Sequence, residues 1–362
     1  MSTETEKVLM KGNEAVGEAA IRAGCKCYFA YPITPQTETP EYLSRRMEEE
    51  GLIFLQAESE LAAINMVFGA SAAGVRCMTS SSSPGMSLKQ EGISFIAGAE
   101  LPCVLVNVVR GGPGLGNIFA SQADYYQSTR GGGHGDYRCI VLAPNSVQEC
   151  YDMTMNAFDL SDYYRVPVMI QNDGIIGQLV EPFILHDYKP MFASLPKKDW
   201  ALTGCVGREP NVVRTLYMNP VDGLEQLNRK FEKKYKKIQA EQCDFQEYQC
   251  DGADLIIIAY GSTSRIAKAA IKRLNNNGKK VGLFRLKTLW PWPSKGLVEI
   301  AQRNKGLRFL VIEMSLGQML EDVQLGLMDV VSKKDILFYG MGGGWYPSPE
   351  GICEKIDEVL SK

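Results

Sequence analysis

The stretch Cys27-Tyr28-Phe29-Ala30-Tyr31-Pro32-Ile33-Thr34-Pro35 is an apolar run that ends in a doubly prolyl turn. Four apolar residues bounded by a turn signal predict a short buried strand over 27–30. The two prolines fix φ and constrain the residue before each, so 31–35 is expected to be rigid and extended rather than helical. Rigid backbone just past a strand is where an open α/β sheet holds a ligand. Between the prolines stands one hydroxyl, Thr34. A structural strand-to-helix turn is the simpler account of these residues, and the segments downstream weigh against it.

On either side of this stretch, helical patterns alternate with short apolar runs. Residues 13–23 have helical spacing and end at Gly24, a natural C-cap. Helices are expected over 40–50, 59–73 and from after the turn 81–85 to 99, with strands over 52–56 and 77–80 between them. Residues 103–109 form a nearly continuous β-branched run typical of a buried parallel strand, and 139–143 and 166–170 resemble it. Strands alternating with helices predict a doubly wound parallel sheet. Composition shifts after Pro190. Residues 222–242 are highly charged and read as a solvated helix, with a partner-binding face as the alternative. From 254 a second, smaller α/β pattern begins, with strands over 255–260, 280–286, 309–313 and 336–339 and helices between them. The expected division is therefore 1–190, a charged connection over 191–250, and 251–362.

Bulk properties exclude several functions. The chain of 362 residues is 45% apolar, ample for two cores, and its net charge of −3 gives no electrostatic case for binding nucleic acid or anionic membranes. No apolar run approaches the roughly 20 residues that span a bilayer. Residues 1–7 are polar and lack the apolar core of a signal peptide, so a cytoplasmic location is expected. The ten cysteines contain no C-x-x-C pair, and there are only two histidines, His134 and His186. Zinc and iron–sulfur sites draw on close cysteine pairs, so neither is expected on this chain, and most of the thiols read as small buried hydrophobes in a reducing compartment.

Four segments carry candidate chemistry. The strand over 52–56 delivers Glu58 and Glu60 to the start of a helix. There a carboxylate is either an ordinary dipole-favoured cap or a group aimed into the ligand crevice, able to exchange a proton with a bound heterocycle. The run Thr79-Ser80-Ser81-Ser82-Ser83-Pro84-Gly85-Met86-Ser87 offers hydroxyl and N–H donors at a helix start, suited to an anion or polar ring, or simply to capping. Strand 103–109 ends in Arg110-Gly111-Gly112-Pro113-Gly114-Leu115-Gly116. The loop is neither a P-loop nor a dinucleotide fingerprint, yet arginine matches a carboxylate bidentately and glycines admit close approach. Gly131-Gly132-Gly133-His134-Gly135-Asp136 could belong to a lid or an interface. Asp251-Gly252 followed by Asn275-Asn276-Asn277 superficially matches an Mg²⁺-diphosphate signature. It is rejected because Asp-Gly precedes a strand and the asparagines end a helix.

In this order, Tyr31–Pro35, Glu58-Ser59-Glu60-Leu61-Ala62-Ala63, Ser83–Gly85 and Arg110-Gly-Gly-Pro-Gly resemble the pyrimidine-binding, alpha-type subunit of the 2-oxoacid:ferredoxin oxidoreductases. Gln122-Ala123-Asp124 and Gly133-His134-Gly135-Asp136 also match, and 251–362 resembles the transketolase carboxyl-terminal domain that accompanies it. Lys11-Gly12-Asn13-Glu14 and Gln36-Thr37-Glu38 look most like the branched-chain type, which oxidises 3-methyl-2-oxobutanoate. The resemblance implies CoA-dependent oxidative decarboxylation of a 2-oxoacid to an acyl-CoA and CO₂, with external ferredoxin as acceptor and thiamine diphosphate as cofactor.

By the same resemblance, Glu60 would bond the aminopyrimidine ring nitrogen and favour the imino tautomer that deprotonates the thiazolium carbon. Thr34 would donate to the 2-oxo group, Arg110 would pair with the carboxylate and Pro32 would support the ring, with Ser83 and Gly85 beside the cofactor. A diphosphate-binding subunit carrying Mg²⁺, a gamma-type subunit and a ferredoxin-like subunit with iron–sulfur clusters would be partners, placing the active site at a subunit interface. Pyruvate or 2-oxoglutarate is the alternative substrate. A non-catalytic scaffold subunit is the alternative of another class.

Overall fold

The computed structural model describes residues 7–304 and 306–361, so the reading of the first six residues lies outside it. The first half runs β1 (Lys7–Lys11), α1 (Gly12–Arg22), β2 (Cys27–Ala30), α2 (Glu38–Glu49), β3 (Ile53–Gln56), α3 (Glu60–Ala72), β4 (Cys77–Ser81), α4 (Ser83–Gly98) and β5 (Cys103–Val109). It continues through α5 (Tyr125–Thr129), β6 (Ile140–Leu142), α6 (Val147–Tyr164), β7 (Pro167–Asp173), α7 (Gly174–Gln178) and β8 (Val180–Ile184). All seven residues of β5 are buried. Each Val or Leu there contributes about 2 kcal/mol by leaving water, which is why this run reads as continuous rather than alternating.

After an irregular segment and a π-helical turn come α8 (Gln226–Glu241), β9 (Phe245–Tyr248), β10 (Leu255–Ala259), α9 (Gly261–Asn276), β11 (Val281–Leu286) and β12 (Thr288–Trp290). The chain ends in α10 (Ser294–Arg303), β13 (Arg308–Glu313), α11 (Gln318–Leu327), β14 (Ile336–Gly340) and α12 (Pro349–Leu360). Among the described residues three sheets result: β12-β6-β7-β5-β4-β2-β3, β14-β13-β10-β11-β9, and the ribbon β1-β8. The two larger sheets are parallel except for β12 on β6 and β9 on β11.

The short strands β1, β8, β9 and β12 have no sequence signal above their surroundings, since each is paired on one side only. β12 also crosses between the units. It follows β11 directly in the chain yet pairs with β6, so the seven-stranded sheet borrows an edge from the second half.

Other contacts make the two sheets one body. Gln122 donates from its backbone to Met314 O (2.9 Å) and from Nε2 to Tyr260 O (3.0 Å), while its Oε1 accepts from Met314 N (3.0 Å). Asp173, at the end of β7, accepts from Ser262 N (2.8 Å) at the start of α9. The buried Arg285 of β11 grips Glu149 of α6 with both terminal nitrogens.

Helix α8 agrees in the main with the reading of 222–242 as a solvated helix, since most of it is exposed, but one stripe packs on the first half. Its Phe231 and Ile238 are buried, Lys230 and Lys234 pair with Glu100, and Lys237 stands over the Tyr163 ring at 5.0 Å. Lys234 is the lysine drawn inward, while Arg229, Lys230, Lys233, Lys236 and Lys237 remain exposed, Arg229 and Lys236 beside Glu232. Among the described residues no helix is long and apolar enough to cross a membrane.

Candidate functional site

The chain leaves β2 outward to β3, then crosses back to place β4 on the opposite side of β2. That reversal makes a crevice at the carboxyl ends of β2 and β4, the position where open parallel sheets bind ligands. Tyr31–Pro35 follows β2, Glu60 follows β3, Ser81–Gly85 closes β4, and Arg110 follows β5. Four adjacent strands therefore deliver the four segments singled out in the sequence.

Ser59 caps α3 by accepting from Ala62 N (3.1 Å), which fixes Glu60 in the first helical turn. Structure separates the two candidate carboxylates: Glu58 is exposed, whereas Glu60 is only 6% exposed. Among the described residues the Glu60 carboxylate accepts no hydrogen bond. With no donor from the chain and little exposure, this carboxylate is open to a group from outside the chain. Gly85 permits the arrangement. A Cβ there would meet Ser81 Oγ at 2.1 Å and Glu60 Oε1 at 2.5 Å. The Ser81 and Ser82 hydroxyls are also buried without a partner among the described residues.

Ser83 behaves differently from its neighbours. Its Oγ accepts from Arg110 N (3.0 Å) and its backbone N donates to Asn107 Oδ1 (3.1 Å), so it braces β5 rather than presenting a free hydroxyl. Arg110 is 6% exposed; its Nη1 donates to Thr34 O (2.8 Å) and its Nη2 to Leu115 O (3.0 Å), leaving Nε unpartnered. One guanidinium thus ties the prolyl turn to the glycine-rich loop. Thr34 and Pro32 are exposed, and the Thr34–Pro35 peptide is cis.

Behind the turn, Asn13 Nδ2 donates to Pro35 O (2.8 Å) and Glu38 Oε2 (2.9 Å), and Lys11 Nζ bonds Glu38 Oε1 (2.9 Å). The separated segments 11–14 and 36–38 therefore form one brace. Gly12 is required there, because a Cβ would stand 2.2 Å from Ile176 O.

Two buried polar residues at this edge, Asn107 and Lys89, escaped the sequence reading, and the half-buried Asp124 of the Gln122-Ala123-Asp124 motif joins them. Asn107 Nδ2 donates to Asp124 Oδ2 (2.9 Å), and burial raises the Asp124 carboxyl pKa against the opposing Ser83, Asn107 and Arg110 interactions. Lys89 of α4 is fully buried, its Nζ donating to Thr79 Oγ1 (2.7 Å) and Ser80 O (2.9 Å). A lysine one turn after Gly85 on an otherwise apolar helix face was the available signal. The segment 131–136 packs on α4, where Ser94 Oγ donates to His134 O (2.8 Å). Asp251-Gly252 precedes β10 and Asn275–Asn277 ends α9, both at the edge opposite the strands' carboxyl ends.

The donor set fits one end of thiamine diphosphate. A buried carboxylate, two unpaired hydroxyls and a glycine that brings backbone close suit a heterocycle with ring nitrogens.

Comparison with known proteins agrees. The family described as "Pyruvate flavodoxin/ferredoxin oxidoreductase, thiamine diP-bdg" matches residues 18–242, and "Pyruvate:ferredoxin oxidoreductase core domain II" matches 253–352. The ketoisovalerate oxidoreductase subunit VorB of Methanothermobacter marburgensis is 50% identical over 98% of both chains. The 2-oxoglutarate synthase subunit KorA of Methanothermobacter thermautotrophicus is 37% identical over 88% of this chain and 91% of that one. Among solved structures, the 2-oxoglutarate:ferredoxin oxidoreductase from Magnetococcus marinus, with 2-oxoglutarate, coenzyme A and succinyl-CoA bound, superposes with a TM-score of 0.85 at 28% identity. That match covers 98% of this chain and 66% of the other. The chain belongs to the 2-oxoacid:ferredoxin oxidoreductase family, as an alpha-type subunit that joins its thiamine diphosphate-binding domain to its core domain II.

Proposed function

We propose that this chain is the pyrimidine-binding subunit of a complex that oxidises 3-methyl-2-oxobutanoate with coenzyme A, giving the acyl-CoA and CO₂ and passing the electron pair to ferredoxin. The observation that carries the reading is the buried, unpartnered Glu60 carboxylate at the strand-order reversal, beside the unpaired Ser81 and Ser82 hydroxyls. The 50% identity to a ketoisovalerate oxidoreductase subunit supports the substrate.

Thiamine diphosphate, when bound, supplies the nucleophilic carbon and the electron sink for decarboxylation. Glu60 holds and moves a proton at the pyrimidine nitrogen through its carboxyl oxygen. Pro32 supports the ring, and the absent side chain of Gly85 lets it approach α4. Arg110, whose fork is anchored by Thr34 O and Leu115 O, pairs with the substrate carboxylate, and the exposed Thr34 hydroxyl donates to the 2-oxo oxygen. Ser83 serves indirectly, by fixing the Arg110 backbone.

The division of labour follows the segments: 1–190 for the pyrimidine site, 191–250 as a connection and 251–362 as the transketolase-like unit. Diphosphate with Mg²⁺, the iron–sulfur clusters and the gamma-type function belong to partner subunits in a cytoplasmic complex. Exposure of Tyr31, Leu61, Leu88, Leu115, Ile118 and Phe119 around the site supports a covering partner.

A panel of 2-oxoacids assayed with the purified complex tests this. The branched substrate is expected to give the highest kcat/KM, by at least about tenfold, the low end of what a hydrophobic pocket achieves. A preference for 2-oxoglutarate, the reading favoured by the 37% identity to a 2-oxoglutarate synthase subunit, would overturn the substrate and keep the chemistry. Arg110→Ala is expected to raise KM for the 2-oxoacid by about 10–100-fold, the worth of a charged hydrogen bond, with KM for coenzyme A unchanged. An unchanged KM for the acid removes Arg110 from that role.

A further inference from the structure

Lys89 takes no part in the chemistry above, yet it is fully buried and no carboxylate among the described residues lies within ion-pair distance of it. A buried ammonium without a counter-ion is costly, so its position calls for a reason. Gly85 and Lys89 are one turn apart on the same face of α4. At Gly85 that face touches Ser81 Oγ and Glu60 Oε1; at Lys89 it is bonded to Thr79 Oγ1 and Ser80 O. Nζ is therefore fastened to the strand that ends at Ser81, one helical turn along α4 from the place where Gly85 meets the Glu60 carboxylate.

We infer that Lys89 is a positioning residue for this site: a buried cation that faces the Glu60 carboxylate and pins the end of β4, so that the site works only while Lys89 is protonated. The inference rests on the role proposed for Glu60. Burial pushes the Lys89 pKa down to about 7; the charge of Glu60, and more weakly Cys103, opposes the fall. The titratable groups facing it are Glu60 from α3 and Cys103 from β5. From β4 come only the Thr79 hydroxyl and the Ser80 carbonyl, and Ser80 Oγ in turn bonds the Tyr28 hydroxyl of β2 (2.5 Å). Because the amine charges on protonation, the cation is present below about pH 7 and lost as pH rises through it.

The test is the pH dependence of kcat for the assembled complex carrying Lys89→Arg or Lys89→Met. Wild type is expected to lose activity on the alkaline side of neutrality. Lys89→Arg, which stays charged throughout, is expected to keep at least about a tenth of the turnover and to lose that limb. Lys89→Met is expected to lose about 100-fold and to show no limb at all.

A second measurement needs no turnover. Thiamine diphosphate is titrated calorimetrically into the cofactor-free complex near pH 7, in buffers of different ionisation heat. Wild type is expected to exchange a fraction of a proton more or less than either variant. An alkaline limb that persists at the same pH in Lys89→Arg, or a proton exchange identical in wild type and variants, overturns the inference. If Glu60→Gln retains full turnover, the reading of Glu60 falls instead. If Glu60→Gln is inactive while Lys89→Arg keeps the wild-type limb, only the role of Lys89 falls.

Discussion

Glu60→Gln in the assembled complex is expected to lower kcat by about 10³-fold or more with subunit assembly intact, the scale of a lost positioned acid–base group. Glutamine keeps the volume and one acceptor at the start of α3, and the Ser59 cap is untouched, so the fold has no reason to change. What disappears is the carboxyl oxygen able to carry a proton, a task that the neighbouring unpaired Ser81 and Ser82 hydroxyls cannot take over at neutral pH. Size-exclusion of the complex and steady-state ferredoxin reduction together make the check. An assembled Glu60→Gln complex with near-wild-type turnover would leave the chain a scaffold rather than half of an active site.

Glu149→Ala is expected to cost about 3–5 kcal/mol of stability, because it strands Arg285 as a buried unpaired charge. Arg285 is 2% exposed, and its Nη1 donates to Glu149 Oε1 at 2.8 Å while Nη2 bonds the other oxygen. Glu149 also accepts from Asn145 N (2.9 Å), so its loss frees the loop between β6 and α6. The double variant Glu149→Ala/Arg285→Met should recover part of the loss, since an apolar pair restores packing without a charge. Chemical denaturation of wild type and both variants measures this.

A pH signature accompanies it. Burial raises the Glu149 pKa, but the Arg285 hydrogen bonds and charge outweigh it, so the carboxyl sits below its ordinary value. Its contribution is complete above the unfolded glutamate value of about 4.3 and is lost as pH falls through the lower folded value. Acid should therefore destabilise wild type more than Glu149→Ala. Equal acid sensitivity in the two would show that the pair stabilises nothing.

Much of the site was legible because chemistry at a parallel sheet's edge leaves local marks. Prolines flanking Thr34, a carboxylate at a capped helix start and an arginine closing an apolar strand are each written in a few consecutive residues. Lys89 and Asn107 were not legible, since their meaning lies in contacts between elements far apart in sequence. Gln122 and Asp173 show the same limit: one is part of a matched motif and the other only follows a strand, yet both clamp the second sheet to the first. The lysine-rich helix is mostly solvated, as its charge predicts, and departs from that reading only where Phe231 and Ile238 are buried and Lys234 turns to Glu100.

By itself the sequence determined two α/β units, the buried parallel strands and the order of the four segments at the site, because burial periodicity and turn chemistry act over a few residues. Tertiary structure alone decided that Ser83 braces Arg110 while Ser81 and Ser82 stay unpaired, and that β12 crosses to the other sheet; it also buried Glu60, the carboxylate that the resemblance had singled out, and left Glu58 exposed. Those outcomes depend on strand order and on distances between segments, which no local pattern encodes. The doubly prolyl turn belongs to both accounts. Its stiffness is covalent, but its purpose came from Arg110 reaching the Thr34 carbonyl across two strands.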